Sequence, residues 1–176
     1  METGFKELDE IITLDNNKFI FVAGEPAVGK TTFALNVINN AVNQNIPSLF
    51  FSLELSKESI TNENAETLFI DDTANVTIDY IEGQCRKFKQ EQNIKFVVID
   101  YLQLINFKED MKDLGSKLKA LAEELNVTIL VLSQLSKVKA PKPTIEDLKQ
   151  SKPVVELADV VMLLRRNNNI MNIVKL

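Results

Sequence analysis

The sequence has no histidine, no tryptophan, one cysteine and only three arginines, Arg86, Arg165 and Arg166. Without histidine, Ser-His and Cys-His catalysis and His-ligated zinc are excluded. Metal use is thereby limited to oxygen ligands, which points to Mg²⁺. The lone Cys85 cannot form an intrachain disulfide. Ile78, Ile81, Cys85 and Phe88 recur at helical spacing, so the thiol reads as a core residue. No apolar run approaches the ~18 residues of a membrane span. Met1-Glu2-Thr3 lacks the basic-then-apolar start of a signal peptide, and a cytoplasmic protein is the default expectation. Positive charge is scarce too, with a formal net charge of −5. A domain built mainly to grip nucleic acid usually carries a basic face, so this total argues against that role without forbidding a local patch.

What is present suits an ordinary globular domain. The 176 residues are 45% apolar and 26% charged, enough for one domain, and no repeat or second-domain boundary interrupts them. The most informative stretch is Gly24-Glu25-Pro26-Ala27-Val28-Gly29-Lys30-Thr31, which fits the phosphate-binding pattern G-x-x-x-x-G-K-[ST]. It follows the apolar run Phe19 to Ala23 and precedes a helical pattern from Thr32 to Asn45, the strand–loop–helix context the motif needs. The glycines let the backbone curl its N–H groups toward phosphate oxygens, and the helix start adds its positive dipole end. Lys30 supplies a full charge for the β- and γ-phosphates. The Thr31 hydroxyl is a Mg²⁺ ligand, and Thr32 extends the cradle.

Along the chain, residues 3–17 form an entry segment with helix-like spacing at Phe5, Leu8, Ile11 and Ile12. Strands are expected at Ser48 to Leu53, Thr67 to Ile70, Lys95 to Ile99, Val127 to Leu132, Val160 to Leu164 and Asn169 to Leu176. Helices are expected at Thr77 to Gln92, with Thr77 as cap, around Met111 to Leu125, and as a short piece at Thr144 to Gln150. Residues 56–66 read as a loop. Strands alternating with helices indicate an α/β fold, a mostly parallel sheet with helices on both faces.

In such sheets ligands bind at the carboxyl ends of the strands. Four expected strands end there in polar groups: the phosphate loop, Glu54, Asp100 and Gln134. Neighbouring strands lie about 4.8 Å apart, so these side chains can share one phosphate site. Asp100, after four apolar residues, is the candidate Mg²⁺-holding acid. Glu54 is the candidate to polarise an attacking water, against the alternative of a solvated strand-end carboxylate. Gln134 either senses the γ-phosphate or is a buried amide satisfied by backbone. Lys137, Lys139 and Lys142 make a basic loop that is either solvated or in contact with a neighbour or nucleic acid. Arg165 and Arg166 end a strand; one of them reaches the nucleotide base or an adjacent subunit, or else forms a surface ion pair.

Several stretches occur together in one order: Thr3-Gly4-Phe5 with Leu8-Asp9, the phosphate loop, Phe51-Ser52-Leu53-Glu54-Leu55-Ser56, Ile99-Asp100-Tyr101-Leu102-Gln103-Leu104, Leu132-Ser133-Gln134-Leu135-Ser136, Lys142-Pro143, Asp147-Leu148 and Ala158-Asp159. Over nearly the whole chain they resemble the C-terminal ATPase domain of the DnaB-type replicative DNA helicases. The resemblance implies a RecA-like P-loop NTPase fold over residues 1–176 and a hexameric ring with ATP at subunit interfaces and single-stranded DNA in its channel. It also implies Glu54 as the catalytic glutamate, Asp100 as the metal-holding acid and Gln134 as the switch that links nucleotide state to DNA-binding loops; beside them the expected site takes Lys30 as catalytic, Thr31 at the metal and Arg166 at the nucleotide from their positions in the sequence.

Departures from the family pattern are expected to matter. The helical insertion between Ser56 and Thr67 is reduced to a loop. The DNA-facing loop after Ile105 is short and carries Glu109-Asp110, and Ser116 stands where an arginine is usual. The family's N-terminal helicase domain has no counterpart in this sequence. Nor does any arginine follow Lys175 to act as a finger, so slow hydrolysis by the chain alone is expected. Two functions are therefore weighed: a helicase-type ATPase motor, and a reduced nucleotide-binding module that assembles with a partner helicase or loader.

Overall fold

A computed structural model describes residues 1–12, 14, 17–60, 65–108, 110–135, 145–148, 151–165 and 171–175. The strands are β1 (Phe19–Gly24), β2 (Ser48–Ser52), β3 (Leu68–Asp71), β4 (Phe96–Asp100), β5 (Thr128–Gln134), β6 (Val160–Leu164) and β7 (Met171–Lys175). The helices are α1 (Lys6–Asp9), α2 (Lys30–Asn43), α3 (Ile78–Gln92), α4 (Met111–Leu125) and α5 (Lys152–Val155). The strands form one sheet in the order β3-β2-β4-β5-β1-β6-β7. Six run parallel and β7 pairs antiparallel with β6.

Near-continuous apolar strands are what a sheet covered on both faces requires. Residues alternate between the two faces. Phe19, Phe21, Val97, Ile99, Ile129 and Val131 pack with Ile81 and Cys85 of α3 and Leu118 of α4. Ile20, Val22, Val98, Leu130 and Leu132 pack with Phe33, Val37 and Ala41 of α2 and with Leu8. Cys85 is fully buried, and burial pushes its thiol far above the ordinary range, as expected of a core cysteine.

Caps set the helix ends. The Thr77 hydroxyl accepts from Tyr80 N–H, as the sequence suggests. Asp110 accepts from the N–H groups of Lys112 and Asp113 at 2.8 and 2.9 Å, so this loop acid serves to start α4. Asn93 and Asn126, with φ of 51° and 50°, end α3 and α4 in the left-handed conformation. The entry segment is clasped by Asp9, whose carboxylate accepts from the N–H groups of Thr3 and Gly4. Phe5 stacks on Phe33 at the start of α2, with ring centroids 5.3 Å apart. Gly4 has φ of +85°, and a Cβ there would sit 2.9 Å from Asn40 Cγ.

Strands β3 and β4 are shifted by one residue from the sequence reading, and three further boundaries differ from it. Strand β2 stops at Ser52, because the Ser52 hydroxyl donates to Leu55 O at 2.6 Å and turns the chain. Strand β5 runs on to Gln134. The piece at Ile145–Leu148 is a 3-10 turn, and it is followed by the short α5, whose second residue is Pro153. Among the described residues, no helix is long and apolar enough to cross a membrane.

Candidate active site

The phosphate loop joins the end of β1 to the start of α2, as the motif demands. Gly29 is the N-cap of α2 with φ of 102°, and Ala27 has φ of 58°. These two residues make the turn. Gly24 is needed for closeness instead, since a Cβ there would meet Val28 Cγ1 at 2.7 Å and the Leu164 carbonyl oxygen at 3.2 Å. Because the N-cap is a glycine, no cap side chain competes for the first-turn N–H groups of α2. Glu25, Val28 and Thr31 are partly buried around the turn, while Pro26, Ala27 and Thr32 are exposed.

The Lys30 ammonium donates to the carbonyls of Gly24 and Glu25, both at 3.0 Å. Its position is therefore fixed by the loop it serves. Burial lowers its pKa, against the opposing charges of Asp100 and Glu54. Thr31 Oγ1 donates to Asp100 Oδ2 at 2.7 Å across the loop. Asp100 is only 2% exposed. Burial pushes its carboxyl up and Glu54 adds to this, while the Thr31 hydroxyl and Lys30 hold it down. The threonine hydroxyl and the aspartate carboxylate form the hard oxygen donor set that suits Mg²⁺. Among the described residues there is no group of three or more acidic or cysteine side chains able to hold a metal. The fit thus depends on Thr31, Asp100 and oxygens from outside the chain.

Glu54 lies just past the end of β2 and is exposed. The Leu53 N–H donates to Asp100 O at 2.9 Å, which ties this turn to the tip of β4. The Glu54 charge is felt by Lys30 and Asp100, two other predicted groups, and by Tyr101, so Glu54 shares their electrostatic surroundings. The Tyr101 hydroxyl is raised by burial first and by Glu54 and Asp100 next.

Gln134 is exposed, so the buried-amide reading is corrected. Its backbone, not its side chain, is what the neighbouring residues hold. Gln134 N–H donates to Gln103 Oε1 at 3.2 Å, and Gln103 Nε2 donates to Gln134 O at 3.1 Å and to Ser133 Oγ at 2.9 Å. Gln103 stands inside the Ile99-to-Leu104 stretch, yet nothing local in that stretch gives it a task. Its partners lie 30 and 31 residues away, beyond the reach of any local pattern. Arg166 and the lysines at 137, 139 and 142 lie outside the described residues.

With this geometry in place, comparison with known proteins decides the lineage. The family model for the DnaB-like helicase C-terminal domain matches residues 1–65 and 60–173. The chain belongs to that family. The replicative DNA helicase DnaB of Leifsonia xyli subsp. xyli is 33% identical over 212 residues, covering 94% of this chain and 46% of that protein. DnaB of Geobacillus stearothermophilus is 33% identical over 215 residues, covering 94% and 47%. The chain thus spans a little under half the length of these relatives. Among solved structures, a DnaB-like replicative helicase described with its primase interactions superposes with a TM-score of 0.85 at 24% identity, covering 95% of this chain and 53% of that one. A separately solved ATPase domain superposes with a TM-score of 0.86, also at 24% identity, covering 95% and 76%. These likenesses establish the RecA-like DnaB fold.

The matches also locate a length difference. An alignment over 212 residues that uses 94% of a 176-residue chain requires additional residues in the relative. The family match divides at 60–65, inside the β2–β3 connection. That is where the sequence leads one to expect a reduced DnaB-like insertion.

Proposed function

We propose that this chain is an ATP-binding, ATP-hydrolysing motor domain that acts in the cytoplasm on single-stranded DNA as part of a hexameric ring. The observation that carries the proposal is the 2.7 Å contact between Thr31 and Asp100 in a member of the DnaB-like family. It joins the phosphate loop to the tip of β4 and leaves a hard-oxygen pair beside the Lys30 ammonium. Residues 1–176 would work as a single domain.

In this reading the loop Gly24 to Thr32, through its backbone N–H groups (Pro26 has none), and the Lys30 ammonium hold the phosphates. Thr31 and Asp100 hold Mg²⁺, which when bound supplies charge neutralisation at the phosphates. Glu54 accepts a hydrogen bond from a water and orients it, a task for which an exposed carboxylate at a strand end is free to move. Gln134 reports the state of the site to the segment that follows it. Arg166 contributes near the nucleotide.

The test is ATP turnover by the full chain, with and without single-stranded DNA, for wild type and Glu54→Gln. DNA-stimulated hydrolysis that falls by about 10²–10³ in Glu54→Gln, with Mg-ATP affinity retained, supports the motor. Tight ATP binding with no turnover in either protein sinks it and leaves the nucleotide-binding module. Sizing in the presence of Mg-ATP tests the ring; a persistent monomer counts against it.

A further inference from the structure

We infer that Gln103 is a positioning residue for this site, holding the backbone of Gln134 in the register from which the Gln134 side chain can respond to nucleotide. The inference rests on the proposed ATPase reading.

The reason lies in how the sheet ends. Pairing between β4 and β5 stops at Ile99 and Val131, and Asp100 pairs on its other side with Ser52. Strand β5 nevertheless continues to Gln134. Leu135 N–H turns the other way, to Gly24 O at 3.0 Å. The N–H and C=O of Gln134 therefore project past the tip of β4, where no strand residue meets them. Gln103 takes that place from the 3-10 turn Leu102–Leu104. Its amide accepts from Gln134 N–H and donates to Gln134 O, as a neighbouring peptide group would. A primary amide offers both a donor and an acceptor, which a hydroxyl or carboxylate cannot present together in this way.

The same Nε2 donates to the buried Ser133 hydroxyl, which lies 3.3 Å from the buried Ser151 hydroxyl. Gln103 thus touches Gln134 directly and Ser151 through one intermediary. Those residues bracket the stretch that carries Lys137, Lys139 and Lys142 in the sequence. Asp100 lies only one turn of chain before Gln103. Both glutamines are exposed, so water could satisfy the same backbone groups at little cost to the fold. An exposed reciprocal pair is better explained by fixing a geometry than by stabilising a core.

The experiment uses the full chain with Gln103→Met, which keeps length but removes both polar atoms, and Gln103→Glu, which keeps the acceptor and loses the donors. Three quantities are measured: ATP turnover with and without a single-stranded oligonucleotide, Mg-ATP affinity, and hydrogen exchange at the Gln134 amide with and without a non-hydrolysable Mg-ATP analogue. The expected result is kcat reduced about tenfold in both variants, with affinity and melting temperature held to within about twofold and a degree or two. Analogue-dependent slowing of Gln134 exchange is expected in wild type and is lost in Gln103→Met. Wild-type kcat in both variants overturns the inference, as does a loss matched by equal losses of affinity and stability. If wild type binds Mg-ATP without turnover, the motor reading fails and the exchange result alone decides: equal slowing in wild type and Gln103→Met overturns the positioning role. If wild type binds no nucleotide, both fall.

Discussion

Two buried or half-buried aspartates at opposite edges of one sheet face opposite electrostatic fates. Asp100, at the carboxyl edge, is pushed up by burial and by Glu54, with only the Thr31 hydroxyl and Lys30 in opposition. Asp159, just before β6 at the amino edge, is also penalised by burial. There, however, both oxygens accept from Lys119 Nζ at 2.7 Å, and one accepts from Phe19 N–H at 2.7 Å. Its carboxyl is held below the usual range. The amino edge is satisfied from within the chain and ties α4 to the starts of β1 and β6. The carboxyl edge keeps an unfavourable charge and a left-handed Ala27. Electrostatic need that the chain does not meet itself is what a ligand-binding edge looks like.

The sharpest break of this comparison is chemical. Glu54→Gln is expected to lower ATP turnover by about 10²–10³ while leaving the melting temperature unchanged, since its carboxylate is exposed and supports no packing. A large drop in melting temperature would place Glu54 with the structural acids instead. Next in size is Asp159→Ala, expected to cost about 2 kcal/mol and lower the melting temperature by ~4–8 °C, because it leaves Lys119 and Phe19 N–H short of their acceptor. Nucleotide affinity should be unaffected.

Asp100→Asn should move stability the other way. Without Mg-ATP the melting temperature is expected to rise by ~2–4 °C, as a buried charge is removed while an acceptor for Thr31 remains. Stabilisation by Mg-ATP should be lost in the same variant. The pH dependence separates the two acids. A carboxyl raised on folding costs stability above its folded pKa, and that cost disappears as pH falls through it toward the ordinary value. The gain from Asp100→Asn should therefore vanish on acidification. A carboxyl depressed on folding contributes stability above the ordinary value, and this is lost as pH falls toward the folded pKa. The penalty of Asp159→Ala should also shrink in acid, from the opposite sign. Thermal melts of the three proteins between neutral and acidic pH check both signs. The smallest effect belongs to Arg86→Ala. Arg86 pairs with Glu124 at 2.9 Å across α3 and α4, but both are exposed, so the loss should stay near or below ~0.5 kcal/mol.

Much of this was legible in the residues. The phosphate loop is contiguous, so its chemistry is written in one stretch. Apolar runs separated by helical patterns implied the parallel sheet, and Thr77 announced its helix. Asp100 and Gln134 at strand tips and Glu54 just past one could be aligned because ligands of α/β sheets gather at one edge. Less legible were features whose partners lie far along the chain. Short α5, opened by Lys152-Pro153, has too few residues for a periodicity to register. The outer side of Gln134 at the end of β5 is met by Gln103, 31 residues away, and the weight carried by Asp159 depended on Lys119, 40 residues away.

The sequence by itself determined the longer helices and the parallel strands, the identity of the phosphate loop and the absence of histidine chemistry, because those follow from local spacing and composition. Only the tertiary structure decided which carboxylate is satisfied and which is left in need. The same residue type sits at both edges of the sheet. Its ionisation depends on whether distant strands and helices deliver an ammonium and an N–H to hydrogen-bond it, as at Asp159, or leave it buried with one hydroxyl as its side-chain hydrogen-bond partner, as at Asp100.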